Sequence, residues 1–375
     1  MEMQTEERLQ TESSLAARLR KLHEERFGTK LIVIVLSVLM ALLIGAIFLL
    51  ILGVDPFTAY FYLLVRPFRS FSSIGELSIR LTPILLTAVG VSFSFSAKLS
   101  NLGGEGQICL GAIGMTLIGT SALGESLGVL SLPLGMVTAA LFGALWAGIA
   151  GFVKSFFKAS EIITTLMLNY IAIQLMSWCV YYPLRDPEGN IPQSAKIAAE
   201  LPKLFEGSRM NLGIIIAIAA LIIYTVVMYR TRFGFKIRVL GGSPEAARYA
   251  GIKRTKYYII IMCLSGVFTG IAGAIEVAGT QTRLLEGLAG SYGLTGVVAS
   301  LLGMLHPVGV ALSSVLLAAL ESGSEAMQVK TGVSSLFVNM LEALIVLFIL
   351  LGMSLMTGPG LGVFKRKIKR TEVKA

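Results

Sequence analysis

Long apolar blocks, each of about 20 residues, are the feature that most constrains the fold of this 375-residue chain. An α-helix needs about 20 apolar residues to cross the hydrocarbon core of a bilayer. Of all residues, 55% are hydrophobic and 14% are charged, whereas a soluble domain carries roughly 25% charged residues. The sequence therefore predicts an all-α integral membrane protein with about ten transmembrane helices. The predicted spans are 31–53, 81–98, 105–121, 128–152, 161–182, 211–229, 257–279, 288–304, 307–322 and 334–356.

The positions of the basic residues predict how the chain is oriented. Cytoplasmic loops of membrane proteins are enriched in Lys and Arg. With ten spans and both termini in the cytoplasm, 23 of the 32 Lys and Arg residues lie on the inner side. An odd number of spans would place one of the two basic ends outside. The predicted organisation is a cytoplasmic N-terminal tail (1–30), a transmembrane domain (31–360) with an outer loop (183–209) and an inner loop (230–256), and a basic cytoplasmic tail (361–375).

Several classes of function are disfavoured by what the sequence lacks. No Gly-Lys dipeptide occurs, so the chain has no P-loop for ATP. The two histidines, His23 and His306, are too few for a His-based metal site, and the three cysteines lie in apolar blocks without metal-ligand spacing. The net charge of +10 is spread over inner loops and tails rather than gathered on a soluble face, which argues against nucleic-acid binding. We expect no catalytic residue and no metal site.

A polar, glycine-rich segment interrupts the apolar sequence at the start of the third span. Residues 101–107 read NLGGEGQ, and three glycines in four residues disfavour a helix. An ionisable side chain near membrane depth, here Glu105, is costly and usually faces a cavity or a partner group. We therefore predict that Asn101, Glu105 and Gln107 lie on a solute pathway. The alternative is an interfacial turn in which Glu105 caps a helix N-terminus.

A second glycine-broken segment precedes the eighth span. Residues 283–296 read RLLEGLAGSYGLTG and include Glu286. One glycine-rich interruption lies at the inner side of the membrane and the other at the outer side, an arrangement that an inverted repeat would produce. In secondary transporters, such interrupted helices mark the substrate path. No repeat is evident between individual residues. Glu286 is a further candidate for the pathway.

The fifth and seventh spans carry residues typical of helix packing. Asn169 lies inside the fifth span, where an amide either bonds to a neighbouring helix or lines a pore. Both interpretations are open, and Asn169 is counted among the pathway candidates. In the seventh span small residues recur every four positions, which predicts a face for close helix contact. These residues are Gly266, Gly270, Ala274 and Ala278.

The inner loop contains the signals of a short helix. Ser243 is a typical N-cap, Pro244 suits the first helical position, and Glu245 places an acid in the first turn. Helix-forming residues follow, and Gly251 is a typical C-cap. We predict a helix of about two turns between spans six and seven, where a cytoplasmic protein could contact it. A surface helix without a partner is the alternative.

Four segments come in the order and at the spacing of a known family. They are NLGGEGQ (101–107), SEIITTLMLNYIA (160–172), GGSPEAARYAGI (241–252) and SYGLTGVVASLLGMLHPVGV (291–310). In these segments the chain resembles bacterial ABC importer permeases of the branched-chain amino acid and simple-sugar superfamily, within it the nucleoside and simple-sugar group. Ribose-type relatives carry a GIDLSVG-like segment where this chain has NLGGEGQ. The resemblance covers roughly residues 30–360.

The resemblance implies a transport subunit of the bacterial cytoplasmic membrane, with no catalysis and no cofactor of its own. The solute would pass between two permease subunits, which commonly differ from each other. ATP would be hydrolysed by a partner ATPase, often with two fused nucleotide-binding domains, and an extracytoplasmic lipoprotein would deliver the solute. The GGSPEAARYAGI motif places the helix that couples to the ATPase at Gly242, Ser243, Pro244, Glu245, Ala246, Ala247, Arg248 and Gly251.

The resemblance favours purine nucleosides as the solute and leaves open other simple sugars or a nucleoside-like vitamin such as riboflavin. The alternative function is a stand-alone secondary transporter of a small polar solute. Such a protein would use Glu105 and Glu286 as proton or ion sites and would work without ATP. A membrane-embedded enzyme is disfavoured, because the sequence supports no nucleophile or metal motif.

Overall fold

A helix coincides with each of the ten predicted spans in the computed structural model, which describes residues 32–33 and 35–357. The predicted tails at 1–30 and 361–375 lie outside the described residues. We number these ten helices in chain order. They are α1 (Val35–Ile51), α2 (Phe71–Ser96), α3 (Gly104–Gly119), α4 (Ser131–Phe157), α5 (Glu161–Tyr181), α6 (Gly213–Arg230), α7 (Arg254–Ile275), α8 (Tyr292–Leu302), α9 (Pro307–Thr331) and α10 (Leu336–Thr357).

The lengths of the helices bear on the number of spans. Among the described residues, six helical segments are long and apolar enough to cross a membrane. By contrast, α3 has 16 residues and α8 has 11 residues. These helices rise only about 24 Å and 17 Å, less than the roughly 30 Å of a hydrocarbon core. The chain is therefore a multi-pass helical membrane protein, and the count of ten spans and the cytoplasmic termini remain predictions.

Helix α2 starts well before the predicted second span. It begins at Phe71 rather than at residue 81, because Ser70 caps it: the Ser70 Oγ accepts a hydrogen bond of 3.1 Å from the backbone N–H of Ser73. The first turns of α2 are polar, so hydropathy alone places the boundary too late. As a consequence Arg80, which the sequence assigns to a loop, lies inside a helix.

The predicted small-residue face of α7 is confirmed where α7 crosses α4. A Cβ atom added to Gly266 would overlap the backbone oxygen of Gly143, and one added to Gly270 would overlap the backbone oxygen of Ala139. Further along α7, Gly273 meets the backbone of Ile108 in α3 just as closely. The backbones of the three helices thus approach each other directly, as small residues permit in membrane proteins.

The described chain divides into two compact units. One comprises α1 and α10, in which the rings of Phe48 and Phe337 stack with centroids 6.0 Å apart. The other runs from Phe57 to Ser335 and contains α2–α9. Within this larger unit, α2 packs against α7, α8 and α9, and α3 packs against α4, α5 and α7. The candidate site residues all belong to the larger unit.

The 183–209 loop is bonded to the segment that follows α7. The backbone N–H of Ser194 donates to Leu284 O (3.0 Å), and that of Ile197 donates to Thr282 O (3.1 Å). Arg283 also forms an ion pair with Asp186, with 2.5 Å between Nη1 and Oδ2. The hydrogen bond from Arg283 lowers the pKa of the Asp186 carboxyl, so the ion pair persists at neutral pH.

Candidate functional site

The two glycine-broken segments meet each other inside the larger unit. A Cβ atom added to Gly104, at the start of α3, would lie 2.9 Å from the Cα of Gly293, at the start of α8. A Cβ on Gly293 would overlap the backbone nitrogen of Glu105. Only glycine leaves room for this crossing, because any side chain would meet backbone. The two glycine-rich segments, which lie far apart in the sequence, therefore contact each other in the folded chain.

Asn101 and Gln107 form a buried hydrogen-bond network with α7. The Gln107 Nε2 donates to Asn101 Oδ1 (3.0 Å), and Asn101 Nδ2 donates to Ser265 Oγ (2.9 Å). The Thr269 hydroxyl donates to Gln107 Oε1 at 2.6 Å. Asn101 and Gln107 are 0% and 1% exposed, so their hydrogen bonds hold the glycine-rich turn against α7 without contact with solvent.

Asn169 of α5 supports the same turn from the opposite side. Its Oδ1 accepts from the backbone N–H of Gly106 (2.9 Å), and its Nδ2 donates to the backbone oxygen of Leu102 (2.8 Å). The structure thus brings together three of the five predicted pathway residues, Asn101, Gln107 and Asn169. Each of the three amides bonds to the broken backbone or to its neighbours, which is the helix-contact interpretation of an intramembrane amide.

The two predicted acidic residues lie apart from this network. Glu105 is partly buried, with its backbone at the Gly104–Gly293 crossing. Glu286 is exposed beside the end of α5, where its carboxylate accepts from Ser177 Oγ (2.9 Å) and Tyr181 Oη (3.3 Å). The structure does not bring Glu105 and Glu286 together into one ion site.

An exposed polar and aromatic strip runs along α5. Tyr170 is 67% exposed and Trp178 is 54% exposed, with the exposed Gln174 midway between them. Their spacing of four residues puts them on one face of the helix. Tyr170 and Gln174 lie in the middle of a segment long enough to span the membrane. An amide facing lipid at that depth would be costly, so we expect protein or water to cover this face.

A partly buried charged cluster was missed by the sequence analysis. Arg80 of α2 forms an ion pair with Glu325 of α9. Close to Arg80 lie Glu321, whose Oε1 accepts from Ser291 Oγ at 3.2 Å, and Glu276, which is 2% exposed. One sequence feature could have indicated this cluster: Glu276 is a single carboxylate within the apolar residues of the predicted seventh span.

The predicted helix of the 230–256 loop is confirmed at Pro244–Tyr249. Ser243 Oγ accepts from the backbone N–H of Ala246 at 3.2 Å. At the other end, Gly251 has φ +72°, and the backbone N–H groups of Gly251 and Ile252 donate to Arg248 O (3.1 Å) and Ala247 O (2.9 Å). Those two bonds define a Schellman motif, so both ends of the helix are capped.

This capped helix presents nearly all of its surface outward. Only Ala247 is buried, against Leu240 and Ile252. Glu245 and Arg248 are exposed and make no ion pair among the described residues, and Tyr249 is 92% exposed. A further helix that the sequence analysis did not predict, Arg232–Gly242, precedes it and contributes Leu240. The loop is thus a folded platform that displays a short helix.

Comparison with known proteins gives one family for most of the chain. The family model described as the permease component of the branched-chain amino acid transport system matches residues 73–354. The glucose ABC transporter permease protein TsgB13 of Haloferax volcanii is 36% identical over 84% of this chain and 86% of its own length. The guanosine ABC transporter permease protein NupP of Bacillus subtilis is 33% identical, covering 85% and 92%. The nucleoside ABC transporter permease protein NupB of Lactococcus lactis subsp. cremoris is 29% identical, covering 85% and 90%.

Proposed function

The chain belongs to the branched-chain amino acid transport permease family, and from this premise we propose that it carries purine nucleosides into the cell. It is the permease subunit of an ABC importer, a transport component whose ATP is hydrolysed on a partner chain. The observation that carries the choice of solute is the similarity to a guanosine permease over almost the whole of both chains. The similarity to a glucose permease makes simple sugars the alternative class of solute.

The Pro244–Tyr249 helix is the proposed contact with the partner ATPase. In support, the helix is capped at both ends and packed through Ala247 against Leu240 and Ile252. A movement of the ATPase could therefore be passed to the permease without unwinding this helix. Its exposed charges, Glu245 and Arg248, have no partner within the described chain and suit an ion pair with another protein. The same loop is predicted to lie in the cytoplasm, where ATP is available.

The strip of Tyr170, Gln174 and Trp178 on α5 is the proposed wall of the solute pathway. Aromatic side chains stack on nucleobases, and an amide can hydrogen-bond to a purine edge. Behind this strip, Asn169 links α5 to the glycine-rich turn, so Asn101, Glu105 and Gln107 would respond to movement of α5. Glu286 continues the strip beyond Tyr181. A second permease subunit would close the pathway from the other side.

The remaining partners follow from the same proposal. An extracytoplasmic binding protein would dock near the 183–209 loop, which the Asp186–Arg283 ion pair holds in place. The ATPase would carry two nucleotide-binding domains, and the second permease would be a different chain of the same family. The whole assembly would lie in the bacterial cytoplasmic membrane.

Uptake of radiolabelled guanosine and radiolabelled glucose by cells with and without this chain tests the proposal. The partner ATPase, second permease and binding protein are present in both strains. We expect guanosine uptake to be lost when the chain is removed and to return when it is supplied. Loss of glucose uptake with unchanged guanosine uptake would instead assign the chain to sugar transport.

A further inference from the structure

Four charged residues lie together between the helices of the larger unit. Arg80 belongs to α2, and Glu321 and Glu325 belong to α9. Glu276 stands in the π-helical turn Glu276–Gln281 that continues α7. All three segments are long and apolar enough to span a membrane, so these charges lie on candidate membrane-spanning helices rather than in loops.

The cluster has more carboxylates than donors. Arg80, the cluster's guanidinium, pairs with Glu325, whose side chain is 68% exposed. Glu321 uses one oxygen to accept from Ser291, while its Oε2 is buried without a hydrogen bond to any residue that the structure describes. Glu276 is only 2% exposed, and its Oε2 is likewise buried without a hydrogen-bond partner in the described part of the chain.

An ionised carboxylate in this position would be costly. Burying a charge without full pairing is strongly unfavourable, and a group so placed becomes neutral instead. A bound metal ion is not supported, since no group of three His, Cys, Asp or Glu residues within the described ranges could hold one. Protonation of Glu276 would remove this buried charge without any further ligand.

We propose that Glu276 is a proton-binding site, and that its carboxyl is protonated in the arrangement described here. Loss of that proton to water would leave a buried carboxylate beside Arg80. The guanidinium would then be drawn from Glu325 toward Glu276, which would weaken the α2–α9 ion pair. Proton binding at Glu276 thus stabilises the packing of α2 against α9.

The groups that face Glu276 come from every element around it. They are Arg80 from α2, Tyr292 from α8, Glu321 from α9, and Arg209 from the segment before α6, with Gln281 from its own turn. Glu325 of α9 pairs with Arg80. Tyr292 directly precedes Gly293, whose backbone crosses Glu105. A change of charge at Glu276 would therefore act next to the crossing of the two glycine-broken segments.

Infrared spectroscopy of the purified chain in lipid tests the proposal without any transport. At about pH 8, exposed carboxyls are ionised, so the C=O band of a protonated carboxyl reports a buried one. We expect this band to be present in the wild type, to lose one component in Glu276→Gln, and to have that component shifted but retained in Glu276→Asp. Glu200→Gln is the control, because Glu200 is a more exposed carboxylate paired with Lys196, away from the cluster, and its spectrum should match the wild type.

The assembled transporter supplies the second readout. Nucleoside-stimulated ATP hydrolysis by the wild type should change with pH between about pH 5 and 9, the range that buried carboxyls reach, whereas Glu276→Gln should lose that dependence. A wild-type spectrum identical to that of Glu276→Gln would overturn the proposal. The proposal would also be overturned if the component of the band were lost in Glu321→Gln and kept in Glu276→Gln. It would be overturned as well if ATP hydrolysis by the wild type and by Glu276→Gln depended on pH in the same way.

Discussion

Gly104 and Gly293 touch through their backbones, with room for no side chain between them. They belong to segments that are almost 190 residues apart in sequence, and each follows a polar interruption of an apolar block. Their contact joins the start of α3 to the start of α8, the two shortest of the ten helices. The free N–H groups at the start of a short buried helix need acceptors, and in α3 the N–H of Gly106 donates to Asn169 Oδ1.

Replacing Gly293 by alanine is expected to destabilise this crossing. The new Cβ would overlap the backbone nitrogen of Glu105, and overpacking of this kind costs about 1–3 kcal/mol. The thermal unfolding temperature of the purified protein in detergent should fall. Gly242→Ala is the matched control, since a Cβ there meets nothing within 4 Å. Equal unfolding temperatures for both variants would contradict the contact.

Gln107→Leu is expected to destabilise the buried network. The change removes the bonds to Asn101 and Thr269, and a hydrogen bond of this kind contributes about 0.5–1.5 kcal/mol to stability. The free energy of unfolding, measured by denaturation in detergent, should fall by that order. Gln174→Leu is the comparison, because Gln174 is exposed and belongs to no such network. A stability loss in Gln174→Leu as large as in Gln107→Leu would contradict the assignment.

Tyr170→Leu is expected to slow nucleoside uptake without loss of stability. Stacking of one base on one aromatic ring is worth about 1–3 kcal/mol, which corresponds to a decrease of roughly 5- to 150-fold if stacking forms at the rate-limiting step. Initial uptake rates at equal amounts of protein in the membrane measure the effect. Tyr170→Phe keeps the ring and should transport almost as well as the wild type. Uptake by Tyr170→Leu at the wild-type rate would contradict the proposal that this face of α5 lines the solute pathway.

Reversing the charges on the Pro244–Tyr249 helix is expected to uncouple transport from ATP hydrolysis. Glu245→Lys combined with Arg248→Glu leaves the fold intact, because both side chains are exposed and the anchor is Ala247. Uptake should be lost while the amount of protein in the membrane is unchanged. The charge-preserving pair Glu245→Asp with Arg248→Lys should retain uptake. Normal uptake by the charge-reversed variant would show that this helix is not the coupling element.

The features that sequence predicts well here are those set by local chemistry. The Ser243 cap, the Pro244 start and the Gly251 end are all encoded within ten residues, and the helix forms between them. The Gly266 and Gly270 face of α7 is likewise set by one periodicity within one helix. Such patterns do not depend on which other segment packs against them.

The features that sequence does not predict depend on partners distant in the chain. Nothing near Asn101 indicates that its amide meets Ser265, or that Gln107 meets Thr269. Arg80 was assigned to a loop because the polar first turns of α2 conceal the start of a helix, and so its pairing with Glu325 was missed. Whether a polar side chain lines a path or holds the backbone is decided by such contacts, which only the folded chain reveals.

The most direct test of the account is uptake of radiolabelled guanosine into proteoliposomes. One set contains the chain alone under a proton or sodium gradient, and the other contains the chain with its second permease and ATPase, supplied with ATP and binding protein. We predict uptake only in the complete set, and only with hydrolysable ATP. Gradient-driven uptake by the chain alone would contradict the account and would make the protein a secondary transporter.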